Sequence, residues 1–351
     1  MSGRIDFQKT NRTRFLLFLL SNYIKWLIFF MSLTFFSKMT NATQSETTFT
    51  GRGIPERVFF STVTTVPCFV FLFINGAMLF TLRSKPVFRE TSRYILLYNL
   101  LFADTVLLAH TQLLYIFAAC RIRLMYPVCG VLTMLTNLTS VISPLTLMMM
   151  SLEKYVAVCY PLRQATIITI RNTGVAIIVV WAFGSLNVLI RVLLLLDFPF
   201  EEHEGLQMTE FCSREKMMLG SLSDDYDKAH TCFLFISAGM AITCSYIGVM
   251  VAARSASTDK ASARKARNTL LLYSVQLGLS LFSTIYNPLL IAISKVVNKI
   301  VLVRIQIVGY VCIVIFPRCL STLIYGIRDQ TIRPILIYHL CCRLKLSPKF
   351  T

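Results

Sequence analysis

The chain has 351 residues, of which 55% are hydrophobic and only 15% charged. A soluble domain of that length usually carries about 25% charged residues, so the composition is that of an integral membrane protein. The net charge of +18 does not point to nucleic acid, because it is sorted by loop, and the eleven cysteines include no Cys-Xaa-Xaa-Cys pair of the kind a zinc ribbon or redox dithiol needs.

Residues 1–38 read as an appendage. Arg4, Lys9, Arg12 and Arg14 form a basic start, and Phe15 to Phe36 is then mostly apolar with Lys25 inside it. A signal anchor, a signal peptide and a frame extension all fit, and each keeps the basic flank in the cytoplasm. Residues 39–57 follow as an extracellular N-terminus, with Asn41-Ala42-Thr43 as a glycosylation sequon. Residues 58–327 hold seven apolar runs, near Val58–Leu82, Tyr94–Ala118, Val128–Met150, Val175–Leu196, Ala229–Ala252, Asn268–Ser294 and Ile300–Tyr325. Each is long enough to cross a bilayer. Residues 328–351 form a basic tail that opens on an amphipathic helix. There is no internal repeat and no second domain.

The first, third and fifth loops are basic, with Arg83, Lys85, Arg89, Arg93, Arg163, Arg171, Arg254, Lys260, Arg264, Lys265 and Arg267. Asp197 to Lys228 instead holds nine acids against three bases. The positive-inside rule then puts the N-terminus outside and the C-terminus in the cytoplasm. Seven spans also put the two ends on opposite sides, so the two readings agree. The expected fold is an all-α membrane protein: a seven-transmembrane helix bundle with a short amphipathic helix after the seventh span and an extra N-terminal hydrophobic segment.

The third run carries the most specific signal. From Val128 to Met150 it has no ionisable side chain except Cys129. At about 1.5 Å per residue it covers roughly 34 Å, enough for a hydrocarbon core of about 30 Å. Glu153 and Lys154 mark its exit from lipid, and Pro161 stops the helix. The segment Ser151-Leu152-Glu153-Lys154-Tyr155-Val156-Ala157-Val158-Cys159-Tyr160-Pro161-Leu162-Arg163 resembles the third transmembrane helix of rhodopsin-like G protein-coupled receptors, and within them the odorant receptors, fish odorant receptors most of all. The family's Asp/Glu-Arg-Tyr triplet reads Glu153-Lys154-Tyr155 here, with Lys in place of Arg.

That resemblance implies roles for individual residues. Glu153, Lys154 and Tyr155, with Tyr246 of the Ser245-Tyr246 pair and Tyr325, are expected to couple to a heterotrimeric G protein. Ser321-Thr322-Leu323-Ile324-Tyr325 stands where the family has Asn-Pro-Xaa-Xaa-Tyr and keeps only the Tyr, with Pro317 as a kink upstream. Asn75, Asp104, Ser143 and Ser321 match the family's polar core. Asp104, Ser143 and Ser321 either hold an allosteric sodium ion or form an ion-free hydrogen-bond network, and no other cofactor or metal is expected. Trp181 matches the family's helix-four Trp. Cys212 is the expected disulfide partner of Cys129, with Cys120 as competitor. Cys341 and Cys342 are candidates for palmitoylation or plain thiols.

Aligned from Cys129, the ligand would meet Thr136, Asn137, Ser140 and Val141 on the third span, with His230 on the fifth and Thr284 on the sixth. Thr136 stands where aminergic receptors carry an Asp, so a cationic amine finds no counter-ion there. The expected ligand is small, odorant-like and mostly apolar, held by one or two hydrogen bonds. Arg191 and Arg304 either select a carboxylate or reach for lipid headgroups.

The function read from these residues is a chemosensory G protein-coupled receptor of the plasma membrane, not an enzyme, with a small-molecule ligand, a G protein and membrane lipid as partners and no nucleic acid. A receptor fold that does not signal is the alternative, because of Lys154 and the Ser321-Thr322 departure. A transporter or channel would favour an internal repeat or broken half-helices. A membrane enzyme would need clustered carboxylates or His and Cys, whereas Asp104 stands alone and the four His are scattered.

Overall fold

The computed structural model describes residues 53–120, 122–196, 212, 221–255, 271, 274–283, 285–286, 289–290, 292–293, 296–329 and 331–340. The expectations for residues 1–52 (Asn41 included), Thr284, Cys341 and Cys342 lie outside these, as do the side chains of Arg304 and Ser321.

Helices follow the apolar runs: α1 at Gly53–Ser84, α2 at Ser92–Ala119, α3 at Tyr126–Cys159, α4 at Ile170–Leu196 and α5 at Ser221–Ser255. Five of them are long and apolar enough to cross a membrane. The sixth run is helical at Ser274–Ser283 (α6) and in further pieces to residue 293. The seventh is one rod, α7, made of Lys299–Gly309, a π-helical stretch Tyr310–Ile315 and Phe316–Arg328. The π stretch directly precedes Phe316-Pro317, where the ring removes a backbone donor and the ladder must widen to accommodate it. A short helix α8, Ile332–Leu340, follows.

Local chemistry sets the ends. Tyr160, which precedes Pro161, sits at φ −131° and ψ 59°, outside the helical region that a following proline disfavours, and α3 stops there. Asp329 accepts from the N–H groups of Thr331 (2.9 Å) and Ile332 (3.3 Å), so its carboxylate caps the start of α8. In α3 the hydroxyls of Thr133, Thr136, Thr139, Ser140, Thr146 and Ser151 donate to carbonyls three or four residues back. Their donors are thereby satisfied inside the helix, which is how a span can carry so many polar residues.

Half of the apolar stretch of α3 is buried, against 22% for α4 and for α5, so α3 is the central post of the bundle. The main core joins Met78 and Leu82 of α1, Leu97, Leu100 and Leu101 of α2, Leu147 and Met150 of α3, Val249 of α5, Leu277 and Leu281 of α6, Tyr325 of α7 and Leu336 of α8. Large apolar residues such as Phe69, Phe73, Ile178, Leu189, Phe233 and Ile236 face outwards, as a lipid-facing shell should. At Gly326 a Cβ would lie 2.6 Å from Leu336 Cδ2, so α8 folds back closely against α7 there.

The α5 boundary corrects the sequence reading. The helix begins at Ser221, not near Ala229, and takes Asp224, Asp225 and Asp227 out of the loop assigned to them. Asp224 and Asp225 are paired with Lys228 at 2.8 and 3.4 Å on an exposed face. Asp227 turns inwards, as shown next.

Candidate functional site

At one end of the bundle Cys129 and Cys212 are joined, with Cα atoms 5.6 Å apart, and Cys120 is a free thiol. On α3 just inside this disulfide, Asn137 and Val141 are buried while Thr136 and Ser140 are half-buried. The hydroxyls of Thr136 and Ser140 donate to Leu132 O and Asn137 O, both at 2.8 Å, so towards a third group they present acceptors. His230 is half-buried on α5 and stacks against Phe183 of α4 and Tyr226. The structure thus brings His230 to α4.

Arg191 neither faces a headgroup nor stands open for a ligand carboxylate. It is 3% exposed and ion-paired to Asp227 at 2.5 Å. Its Nε donates to Asn187 Oδ1 at 3.3 Å, the same oxygen that accepts from Tyr226 Oη at 3.0 Å. Its guanidinium lies 5.4 Å from the Tyr226 ring centre. A basic residue at the end of α4 is thus neutralised within the protein, which makes a long-range pull on anionic ligands weak.

Midway along the bundle is a second polar layer. Asn99 bridges three helices: its Nδ2 donates to Thr146 Oγ1 on α3, and its Oδ1 accepts from Trp181 Nε1 on α4, both at 2.9 Å. Asn75 Oδ1 on α1 accepts from Thr322 Oγ1 on α7 at 2.6 Å. The residue that departs from the expected proline therefore supplies a hydroxyl that ties α7 to α1. Ser143, 1% exposed, lies on α3 within this layer.

Asp104, 1% exposed on α2, is ion-paired to Arg318 on α7 at 3.1 Å. The same guanidinium donates to Ser280 Oγ at 3.4 Å and Ser283 Oγ at 3.0 Å, both on α6. Its Nε finds no acceptor among the described residues. The carboxylate expected to face a sodium ion already faces a fixed cation, so the residues present do not fit a second one.

At the other end lies the Glu153-Lys154-Tyr155 constellation. Lys154 Nζ and Glu153 Oε1 are 3.5 Å apart, and the two side chains are 17% and 9% exposed. The pair is therefore largely enclosed, not a solvent-exposed flank as its position at a helix end suggests. Glu153 Oε2 accepts no hydrogen bond from the described residues. Tyr155 packs over Gly248 on α5, where an added Cβ would overlap its ring, so the glycine admits the ring. Tyr246 is half-buried on the same helix, two residues earlier. Tyr325, 2% exposed, points its hydroxyl at Met150 Sδ, 3.9 Å away.

Arg93 completes this end. Its guanidinium is 3.6 Å from Asp329 and 5.8 Å from the Tyr325 ring centre. Tyr94 Oη donates to Asp329 Oδ2 at 3.1 Å. Arg93 and Asp329 also lie close enough to Lys154 to act on its charge. Four side chains, Glu153, Lys154, Arg93 and Asp329, thus form a mixed-charge patch where α2, α3 and α7 converge.

Two paired arginines are not singled out by the sequence reading: Arg318 lies inside a run that reads as apolar, and Arg93 reads as a loop base. A charge inside an apolar run must find a counter-charge, and Asp104 stands alone in the neighbouring spans. That requirement is the signal which would have found Arg318.

Comparison with known proteins agrees with this architecture. Residues 74–345 match the family described as 7 transmembrane receptor (rhodopsin family). The chain belongs to that family of non-enzymatic receptors. Among its relatives, Odorant receptor 131-2 of Danio rerio is 30% identical over 281 residues, covering 80% of this chain and 85% of the relative. Olfactory receptor 1M1 of Homo sapiens is 25% identical over 187 residues, or 52% of this chain and 58% of that receptor. Olfactory receptor 8A1 of Homo sapiens is 33% identical over 105 residues, which cover 30% of this chain and 31% of that protein.

Proposed function

We propose that the chain is a chemosensory receptor of the plasma membrane, with the disulfide end outside the cell. A small, mostly apolar ligand enters the bundle beside α3, and a heterotrimeric G protein docks at the Glu153 end. The observation that carries this reading is the enclosed Glu153-Lys154-Tyr155 constellation, packed against Gly248 of α5 and neighboured by Arg93 and Asp329. This end joins α2, α3 and α7 through charged contacts and α5 through the Tyr155 ring, and a ligand that favours a second arrangement of these helices would shift the population towards it. The printed names of the relatives, odorant and olfactory receptors, support the ligand class.

Arg191 supports a neutral ligand, because its charge is balanced by Asp227 before any ligand arrives. Thr136 and Ser140 offer acceptors, so a ligand hydroxyl suits them better than a bare carbonyl. A receptor fold that binds without signalling is the second reading, and the observation favouring it is Lys154. Its compact ammonium lacks the planar five-donor fork of an arginine.

The test is expression of the full chain in cultured cells, with surface labelling and a cAMP readout, against panels of neutral alcohols, esters, amines and carboxylic acids. A response to neutral compounds that Thr136→Val with Ser140→Ala weakens supports the reading. Activation by amines or acids alone overturns the ligand class. Saturable binding without any cAMP or G protein response decides for the second reading.

A further inference from the structure

A carboxylate in the middle of a membrane protein needs a cation, and there are two ways to supply one: a dissolved ion that comes and goes, or a side chain that stays. In this chain the second is built. Arg318 is 3% exposed and Asp104 1% exposed, and they meet at 3.1 Å. Arg318 Nη1 also donates to Ser280 Oγ, and Nη2 donates to Ser283 Oγ. These hydroxyl oxygens, which would be ligands for a metal ion, are instead acceptors for a guanidinium. Ser283 also donates to Ser280 O at 2.6 Å, which fixes its oxygen towards Arg318. A sodium ion at Asp104 would be placed against a like charge within a few ångströms, in surroundings that screen poorly.

We propose that Arg318 is a built-in counter-ion that excludes sodium from the core of this receptor. The stability of the bundle is then independent of sodium, and one guanidinium staples α2, α6 and α7 together. Three contacts carry the staple: Asp104 on α2, and Ser280 and Ser283 on α6, all made by one residue of α7. Arginine suits this role better than lysine, because a planar fork reaches several acceptors at once. The inference needs the receptor fold only and does not depend on the ligand proposed above.

The experiment is thermal unfolding of the purified full-length receptor in detergent. A thiol-reactive dye reports exposure of the buried cysteines Cys68 and Cys319. Sodium chloride is compared with potassium chloride and N-methylglucamine chloride at one ionic strength, near the physiological value of about 0.15 M. The wild type is expected to unfold at the same midpoint in all three salts. Arg318→Met leaves an unpaired carboxylate, so its midpoint falls, and sodium raises that midpoint above the potassium value. Arg318→Lys keeps a fixed cation and stays indifferent to sodium.

A sodium-specific rise in the wild type overturns the proposal, and so does a folded Arg318→Met that ignores sodium. Should Arg318→Met fail to reach the membrane, the Asp104→Asn/Arg318→Met double variant decides. Recovered surface expression supports a charge-complementary pair. Loss as complete as in the single variant overturns it.

Discussion

Two ion pairs divide the labour in this receptor. Asp104–Arg318 lies in the middle of the bundle, joins residues 214 positions apart in sequence and is almost fully enclosed. Glu153–Lys154 lies at the end of α3, joins immediate neighbours at 3.5 Å and keeps 17% and 9% of its side chains exposed. The first has charged groups that water cannot rescue, so breaking it leaves a bare charge in a poor solvent. The second has alternative partners at hand, Arg93 and Asp329, so its charges can be re-paired when helices move. The first pair holds helices in register, and the second, in the function proposed above, is the one free to re-pair when helices move.

The sharpest way to break that contrast is at Asp104. Asp104→Ala strands the Arg318 guanidinium, and removing one partner of a buried pair typically costs about 3–5 kcal/mol. Surface expression and the unfolding midpoint should both collapse, whereas Glu153→Gln should leave both near wild type. Equal losses in the two variants would erase the distinction.

Thr322→Val probes the neighbouring layer. It deletes the 2.6 Å bond to Asn75 Oδ1, whose amide Nδ2 already lacks a partner among the described residues. A buried amide left unsatisfied costs about 1–3 kcal/mol, less than the stranded arginine. The unfolding midpoint should fall modestly, and Thr322→Ser should restore it.

Gly248→Ala tests the exchangeable end. The added methyl would enter the Tyr155 ring, so the ring must move and the α3–α5 contact must open. Folding should survive, because the ring can swing towards solvent, while agonist-driven coupling falls severalfold in a G protein dissociation assay. Unchanged coupling would show that the Tyr155–Gly248 contact is only packing.

The smallest effect is expected at α8. His339 Nδ1 lies 2.8 Å from Thr81 Oγ1 on α1, and its ring meets Phe80 edge-on. Partial burial, and then nearby Lys85, lower the affinity of this imidazole for a proton below its usual 6.5. The folded state therefore binds fewer protons than the unfolded one. The contribution is fully present above about pH 6.5 and declines as pH falls through the lowered value. Hydrogen exchange of α8 amides, followed from about pH 8 to about pH 5 after correction for intrinsic rates, should show slight loosening at the acid end, absent in His339→Phe.

Much of the architecture was legible in the residues because it rests on length and charge. The C-terminal end of α3 follows from Pro161, and the Cys129–Cys212 bridge follows from the resemblance that Glu153-Lys154-Tyr155 carries. What escaped reading was mostly pairwise. Asp227 reads as one acid among nine in a loop, yet it belongs to α5 and is neutralised by Arg191 of α4. Arg318 was hidden in an apolar run, since averaging over a span conceals a single charge whose partner is two hundred residues away. The loss of Asn-Pro before Tyr325 looked like damage, but Thr322 uses its hydroxyl to hold α1. Windows of sequence show which segments cross a membrane, whereas only the packed bundle shows which polar groups answer one another.

The central claim is that the Glu153 end couples the bundle to a G protein through exchangeable charge contacts. The most direct test is agonist-stimulated G protein dissociation in cells expressing the wild type, Lys154→Ala and Lys154→Arg at matched surface levels. Arginine offers five donors in a planar fork where lysine offers three rotatable ones, so the Arg variant should raise the response and the Ala variant should abolish it. A Lys154→Ala receptor that signals as well as the wild type would contradict the account.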